Sequence, residues 1–254
     1  MIQRKSRDEI EKMRTACRVV AETLLRLKEA VAPGVSTWDL DKIAREECRR
    51  RGVEPAFLRY NGFPAALCAS INEEVVHGIP SRKRLLKEGD VVGLDFGVKK
   101  DGWYGDAAVT VPVGAIDAEA ERLVRVTRES LDEAIARVRP GNRVLDVGGA
   151  VQEYVEPRGF SVVRDFVGHG IGKKMHEEPQ IPNYRPDGVT WSAELRPGMV
   201  LAIEPMINQG GHGIRVLEDH WTAVTADRKL SAHFEHTVAV TDDGVDVLSA
   251  LEGL

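Results

Sequence analysis

The sequence predicts an α+β fold in which one helix–helix–strand unit occurs twice around a shared antiparallel sheet. Three observations carry this expectation: two pairs of amphipathic segments interrupted by Pro-Gly, a set of identities at one fixed offset, and β-branched apolar runs after each pair. In the first pair, Ser6-x-x-Glu9 makes a capping box, the reciprocal arrangement that satisfies free N–H groups at a helix start. Behind it Ile10, Met13, Cys17, Val20, Leu24 and Leu27 recur every three or four residues, the period of one buried helix face. A helix is therefore expected over about residues 6–31. Pro33-Gly34 stops it, and Ser36 or Thr37 caps a second helix carrying Leu40, Ile43, Ala44 and Cys48 as far as Gly52.

The second half repeats this pattern. Leu24, Pro33, Gly34, Asp39, Glu46, Arg51 and Gly52 recur as Leu131, Pro140, Gly141, Asp146, Glu153, Arg158 and Gly159, each 107 residues on, and Glu22 recurs as Glu129. Identities on one gap-free diagonal mark a duplicated unit. Strand character follows each helix pair: Ala66–Ile71, Val75–Ile79, Val91–Val98 and Gly105–Val113, then Ser161–Val167, Met199–Ile207 and His233–Val240. Helices grouped before strands, twice, suggest one antiparallel sheet backed by four helices. No Pro/Ser-rich linker parts the halves, so residues 1–254 read as one domain with an internal pseudo-twofold repeat, its site between the halves.

Composition excludes several classes. With 43% hydrophobic and 30% charged residues the chain is globular and not disordered. A net charge of −5 argues against a nucleic-acid binder that relies on a basic surface, and Arg49-Arg50-Arg51 and Arg82-Lys83-Arg84 read as solvated faces. Three cysteines without a CxxC pair make no disulfide framework and fit a reducing cytosol. The charged N-terminus holds no signal-length apolar run, and no 18 apolar residues follow one another. A cytoplasmic protein without a membrane span is expected.

The chemistry is carried by acids and imidazoles in apolar or glycine-rich settings. Asp95 and Asp106 flank a hairpin turn. A turn at Lys100-Asp101 would set them directly opposite, and a turn at Asp101-Gly102 would set them diagonally, on one sheet face in either case. Facing carboxylates about 5 Å apart repel by on the order of 3 kcal/mol at an effective dielectric near 20, so a cation belongs between them. His169 sits in Gly168-His169-Gly170-Ile171-Gly172, where flanking glycines let the backbone approach a ligand closely. The spacing fits neither phosphate-loop pattern. His176 follows seven residues later. Glu204 ends an apolar strand and Glu235 lies inside another; buried carboxylates are costly without a partner. With neutral His169, Asp95, Asp106, Glu204 and Glu235 would balance two divalent cations.

Val76-His77-Gly78-Ile79-Pro80, Asp95-Phe96-Gly97, Asp106, Gly168-His169-Gly170-Ile171-Gly172, His176-Glu177-Glu178-Pro179, Ile203-Glu204-Pro205-Met206 and Glu235-His236-Thr237 resemble, in order, the motifs of type I methionine aminopeptidases. The resemblance runs from Ser6 to the last strand. It implies the "pita-bread" fold, a duplicated α+β unit, and removal of the initiator methionine from nascent chains whose second residue is small. It implies that Asp95 chelates one metal, that Asp106 and Glu235 bridge both, and that His169 and Glu204 bind the other. By the same resemblance His176 stabilises the tetrahedral intermediate, His77 lies near the substrate's second residue, Glu204 shuttles a proton, and Tyr60, Phe63, Cys68 and Trp221 line the methionine pocket. Met175 stands where the family commonly has phenylalanine, and Val76 where cysteine or asparagine is frequent.

The two metals are expected to be Co, Mn, Fe or Zn, since an oxygen-rich site with one imidazole suits them alike. The expected partner is the nascent polypeptide N-terminus, near the ribosome, and the expected state is a monomer. Xaa-Pro aminopeptidases and dipeptidases share the fold but carry a large N-terminal domain, whereas here the first helix starts at Ser6. A binding protein of this fold without metals would have lost ligands that are all present. Neither a zinc-finger extension before Ser6 nor a long insertion between the motifs is found, which favours type I over type II.

Overall fold

In a computed structural model, which describes residues 2–250, both helix pairs form as the periodicity requires. Met1 and residues 251–254, part of the 1–254 domain reading, lie outside the described residues. The first half contains helices α1 (Arg7–Ala30) and α2 (Thr37–Arg51) and strands β1 (Glu54–Pro55), β2 (Cys68–Ile71), β3 (Glu74–Val76), β4 (Val91–Lys100) and β5 (Trp103–Pro112). The second contains α3 (Ala118–Ala136) and α4 (Val144–Val155), then β6 (Ser161–Val162), β7 (Gly168–Gly170), β8 (Glu177–Ile181), β9 (Val200–Ile203) and β10 (Met206–Asn208). It ends with β11 (Ile214–Val216), β12 (Ala223–Thr225), β13 (Ser231–His233), β14 (Glu235–Val240) and β15 (Val245–Val247).

The capping box of α1 is complete, and Ser36 caps α2. The repeat is equally concrete. Gly34 and Gly141 both take φ of 90°, a left-handed value that suits glycine. The Gly34 N–H donates to the Leu86 carbonyl and the Gly141 N–H to the Leu195 carbonyl, which tie each helix pair to the segment entering its sheet strand. Gly89 and Gly198 then turn with φ of 90° and 89° into β4 and β9. Counted from these turns, Asp95 and Glu204 occupy equivalent places in the two halves.

The sheet departs from the single layer expected. Nine strands form the main sheet, with the path β1-β4-β5-β14-β9-β7-β8, β2 pairing with β4 and β15 with β14. Two three-stranded sheets, β13-β10-β6 and β11-β12-β3, stand beside it. The first arises because two predicted strands break: Met199–Ile207 at Glu204-Pro205, where proline supplies no N–H to a ladder, and His233–Val240 at Phe234; the second joins β3 to β11 and β12, which were not expected as strands. The expected run Ser161–Val167 keeps only its first two residues as strand, and Val75–Ile79 ends at Val76.

Alternation decides what each face does. On the central hairpin Leu94, Phe96, Val98, Ala107 and Val109 join Val20, Leu24 and Leu27 of α1 in the main core, while Asp95 and Asp106 point to the other face. Gly105 lies on the helix side. A Cβ there would sit 2.6 Å from the Cys17 backbone nitrogen and 2.9 Å from the Ala16 carbonyl carbon, so α1 can seat this closely only over glycine. Gly105→Ala should lower stability by about 1–3 kcal/mol, the usual cost of overpacking. Gly211→Ala, with nothing within 4 Å, should stay within about 0.5 kcal/mol. Urea unfolding of both variants checks this; equal midpoints would mean that α1 can withdraw freely.

Candidate metal centre

Five adjacent strands deliver one candidate ligand side chain each. Along the path β4-β5-β14-β9-β7 the residues are Asp95, Asp106, Glu235 at the start of β14, Glu204 just beyond the end of β9, and His169 at the middle of β7. Register explains why they converge. Cys68 pairs with Asp95, Asp95 with Ala108 and Ala108 with Glu235, which makes one row across the sheet. Gly97 pairs with Asp106, Thr237 with Ala202 and Ala202 with His169 in the next row on the same face. The residues between the acids and the imidazole are small, which leaves space above the sheet.

The hairpin turn resolves the alternatives left open by sequence. Lys100 pairs with Trp103, and Asp101 and Gly102 take φ of 50° and 83°, the paired positive values of a two-residue type I′ turn. Asp95 and Asp106 are therefore diagonal and share a face. Glycines around His169 serve a purpose other than the one expected. A Cβ on Gly168 would strike the Ala202 carbonyl and one on Gly170 the Glu178 carbonyl, so they admit neighbouring backbone and not a ligand. His169 stands on a short strand and not in a loop.

Asp106 and Glu235 are each only 3% exposed. Asp95 Oδ1, Asp106 Oδ1 and Glu235 Oε1 are buried without a hydrogen-bond partner, as is His233 Nε2. Buried polar atoms are normally satisfied, so three orphaned carboxylate oxygens on one face fit a site for a cation. Asp106, His169 and Glu235 offer ligand atoms within 4.8 Å of one another. Glu204 Oε1 approaches His169 Nε2 to 3.6 Å, and Glu204 Oε2 approaches His233 Nε2 to 3.8 Å. The hard oxygens and one imidazole fit a first-row divalent ion.

Electrostatics agree with that fit. Burial pushes the Asp95 carboxyl up to about 7. Burial and the neighbouring acids raise Asp106, Glu204 and Glu235 well above the carboxylate range. Burial, with His176 alongside, lowers His169 to about 3, so its ring is neutral and able to ligate. The approaches of Glu204 to His169 and His233 are therefore contacts between polar groups, since burial holds His233 at about 3 as well.

All the side chains expected at the site line one cavity of about 210 Å³: Asp95, Asp106, His169, Glu204 and Glu235 with His77, His176, Tyr60, Phe63, Cys68 and Trp221. Met175 lines it too, whereas Val76 packs away from it among Val75, Val163 and Met206. Phe57 and Asn61 complete the wall. Sequence reading passed over these two, and over His233, which looks like an ordinary residue of an apolar strand. His176 is exposed, its ring 4.3 Å from that of His169, and its Nδ1 lies 2.7 Å from the Tyr60 hydroxyl. Tyr60 is thus more than a pocket wall. His77, at φ 61°, packs edge-on against Phe166 and Trp221.

Residues 11–242 match the model of metallopeptidase family M24. The chain belongs to that family. Among M24 relatives, the methionine aminopeptidase of Clostridium perfringens is 48% identical over 252 residues, covering 99% of this chain and all of the relative. The crystal structure of methionine aminopeptidase from Thermotoga maritima matches with a TM-score of 0.96 and 47% identity, covering 99% of this chain and 100% of that one. The prolidase of Pyrococcus horikoshii, at 21% identity and a TM-score of 0.78, shares the fold, with 98% of this chain matched to 64% of that one. The pita-bread fold expected from the motifs is therefore the fold of the chain, and metal use comes with the family.

The buried acids make a stability prediction. A carboxyl whose folded pKa is raised supports folding below its unfolded value near 4, and that support is lost as pH rises through about 7 for Asp95. Asp95→Asn has no such loss. Metal-free Asp95→Asn should therefore gain on metal-free wild type as pH rises, and be more stable by about 1 kcal/mol at pH 8. The lowered histidines act in the opposite direction below pH 6.5, but they are common to both proteins and cancel in the difference. Melts at pH 5 and pH 8 with chelator present measure it. A variant that melts below wild type at pH 8 would show that Asp95 already has a partner.

Proposed function

We infer that this M24 metallopeptidase removes the N-terminal methionine from nascent proteins and peptides, preferring a small second residue. The observation that carries this reading is the junction of two things in one cavity: a row of buried, unpartnered carboxylates and an apolar pocket beside it. Relatives similar over nearly the full length are methionine aminopeptidases, whereas the likeness to prolidases is one of fold.

Asp95 would hold one divalent cation, Asp106 and Glu235 would span two, and His169 and Glu204 would hold the second. The metals are drawn from Co, Mn, Fe and Zn. When bound, such ions supply an acidified water that can attack near neutral pH and positive charge to offset the developing oxyanion. The chain's own groups do the rest. Glu204 accepts a proton from the attacking water and passes it to the departing amine. With the Tyr60 hydroxyl as donor to His176 Nδ1, 2.7 Å away, His176 would carry its proton on Nε2 and donate it to the scissile carbonyl as charge develops. His77 stands beside the second residue. Phe57, Phe63, Cys68, Met175 and Trp221 enclose the methionine side chain in a cavity of about 210 Å³. The protein works as one domain, residues 1–254, monomeric and cytoplasmic, on chain ends emerging near the ribosome, without direct nucleic-acid contact.

Exhaustive chelation should abolish cleavage of Met-Gly peptides, and divalent metal should restore it; full activity of metal-free protein overturns the metal assignment. His176→Ala should keep its metal and its melting temperature while kcat falls about a hundredfold or more, the range for a lost transition-state donor. Loss of metal in that variant would reassign His176 as a ligand. Met-Gly peptides should be cut and Xaa-Pro peptides left intact, and the reverse preference would place the chain with the proline-specific branch.

A further inference from the structure

We propose that Lys5 is a positioning residue: its buried ion pair with Glu177 holds the loop that presents His176 to the substrate. The proposal rests on the role given to His176 above. Lys5 Nζ lies 2.8 Å from Glu177 Oε2, and the two side chains are only 4% and 7% exposed. Desolvation consumes much of what such a pair gains, so burial of two charges is a weak device for stability alone. Its location suggests a different use.

Glu177 follows His176 directly. Its second oxygen, Oε1, accepts the Lys174 N–H at 3.1 Å, so one carboxylate straps the turn from Lys174 to Glu177. Upstream, the Gly172 carbonyl accepts the Tyr104 N–H of β5, 2.9 Å away, which fastens the other end of the loop to the sheet. Gly172 also makes room for the pair, since a Cβ there would sit 2.6 Å from Lys5 Cε and 2.7 Å from Glu177 Oε1. Lys5 is itself fixed, its N–H donating at 2.6 Å to the Gly198 carbonyl at the turn into β9. Between the two fastenings stand Met175, buried at the pocket, and His176, which is exposed and tied by its ring to Tyr60. The anchor lies ahead of residue 11, where the family match begins. The segment before α1 thus reaches the site through one ammonium group.

The mechanism is geometric. A displacement of 1 Å in a catalytic group costs on the order of a hundredfold in rate, and His176 has no helix or long strand of its own to hold it. Steady-state kinetics of the metal-loaded full chain on a Met-Gly peptide test this, with metal content measured alongside. Lys5→Met should lower kcat by about tenfold or more at unchanged metal content, and Lys5→Arg should recover most of the loss. Lys5→Met/Glu177→Gln removes the stranded buried charge, so it should fold as well as wild type yet keep the kcat defect. In a His176→Ala background Lys5→Met should cost less than about twofold, because residues acting as a unit are not additive. In metal-free protein the His176 ring NMR signals should shift on Lys5→Met while those of His236, held by Ser249 at 2.8 Å, stay in place.

A Lys5→Met/Glu177→Gln protein with wild-type kcat overturns the proposal. So does an undiminished Lys5→Met loss in the His176→Ala background, which would place its effect elsewhere in the fold. A His176→Ala protein with wild-type kcat would remove the role of His176 first, and the proposal with it.

Discussion

Four carboxyl groups that repel one another when charged without a cation beside them are held on one face of one sheet. Asp95, Asp106, Glu204 and Glu235 are brought together out of water, and each is pushed toward its protonated form by burial. No local preference would assemble them. What assembles them is the opposite face, where Leu94, Phe96, Val98 and Val109 lock the hairpin against α1 and the rest of the main core. Because side chains alternate along a strand, packing one face fixes the other. The apolar core therefore determines where the acids stand, and the acids in turn create a demand for positive charge that a divalent cation would meet.

The duplication supplies the frame and not the chemistry. Asp95 and Glu204 hold equivalent places after the Gly89 and Gly198 turns, yet their surroundings differ. Glu204 lies against His169 and His233, whereas Asp95 stands on a row with Cys68, Ala108 and Glu235. Equivalent positions have thus diverged, one acid standing between two imidazoles and the other on a row without one.

Much of this was legible in the sequence because it is encoded locally. Ser6, Glu9, Ser36 and the Pro-Gly stops mark helix ends by the hydrogen bonds they make, and the shared face of Asp95 and Asp106 follows from strand alternation whichever turn is used. What was not legible depends on neighbours distant in sequence. Gly168 and Gly170 looked like room for a ligand, but the room is taken by the Ala202 and Glu178 carbonyls. His233 gave no signal, since only the arrival of Glu204 from the break at Pro205 makes its Nε2 conspicuous. The β13-β10-β6 sheet was missed for the same reason, because Phe234 and Glu204-Pro205 interrupt runs that read as continuous strands.

The Asp101-Gly102 turn has a consequence for how this chain can vary over evolutionary time. Most surface loops tolerate gained or lost residues because nothing reads their length. This one is a length standard. Two residues, both at positive φ, set which residues of β4 and β5 lie across from each other, and so the diagonal of Asp95 and Asp106. One residue more or fewer would force either a bulge or a slip, and a one-residue slip sends a strand's whole side-chain set to the wrong face. Lineages of this fold should therefore accumulate insertions at other hairpins while this turn keeps its length, even where its residue types drift.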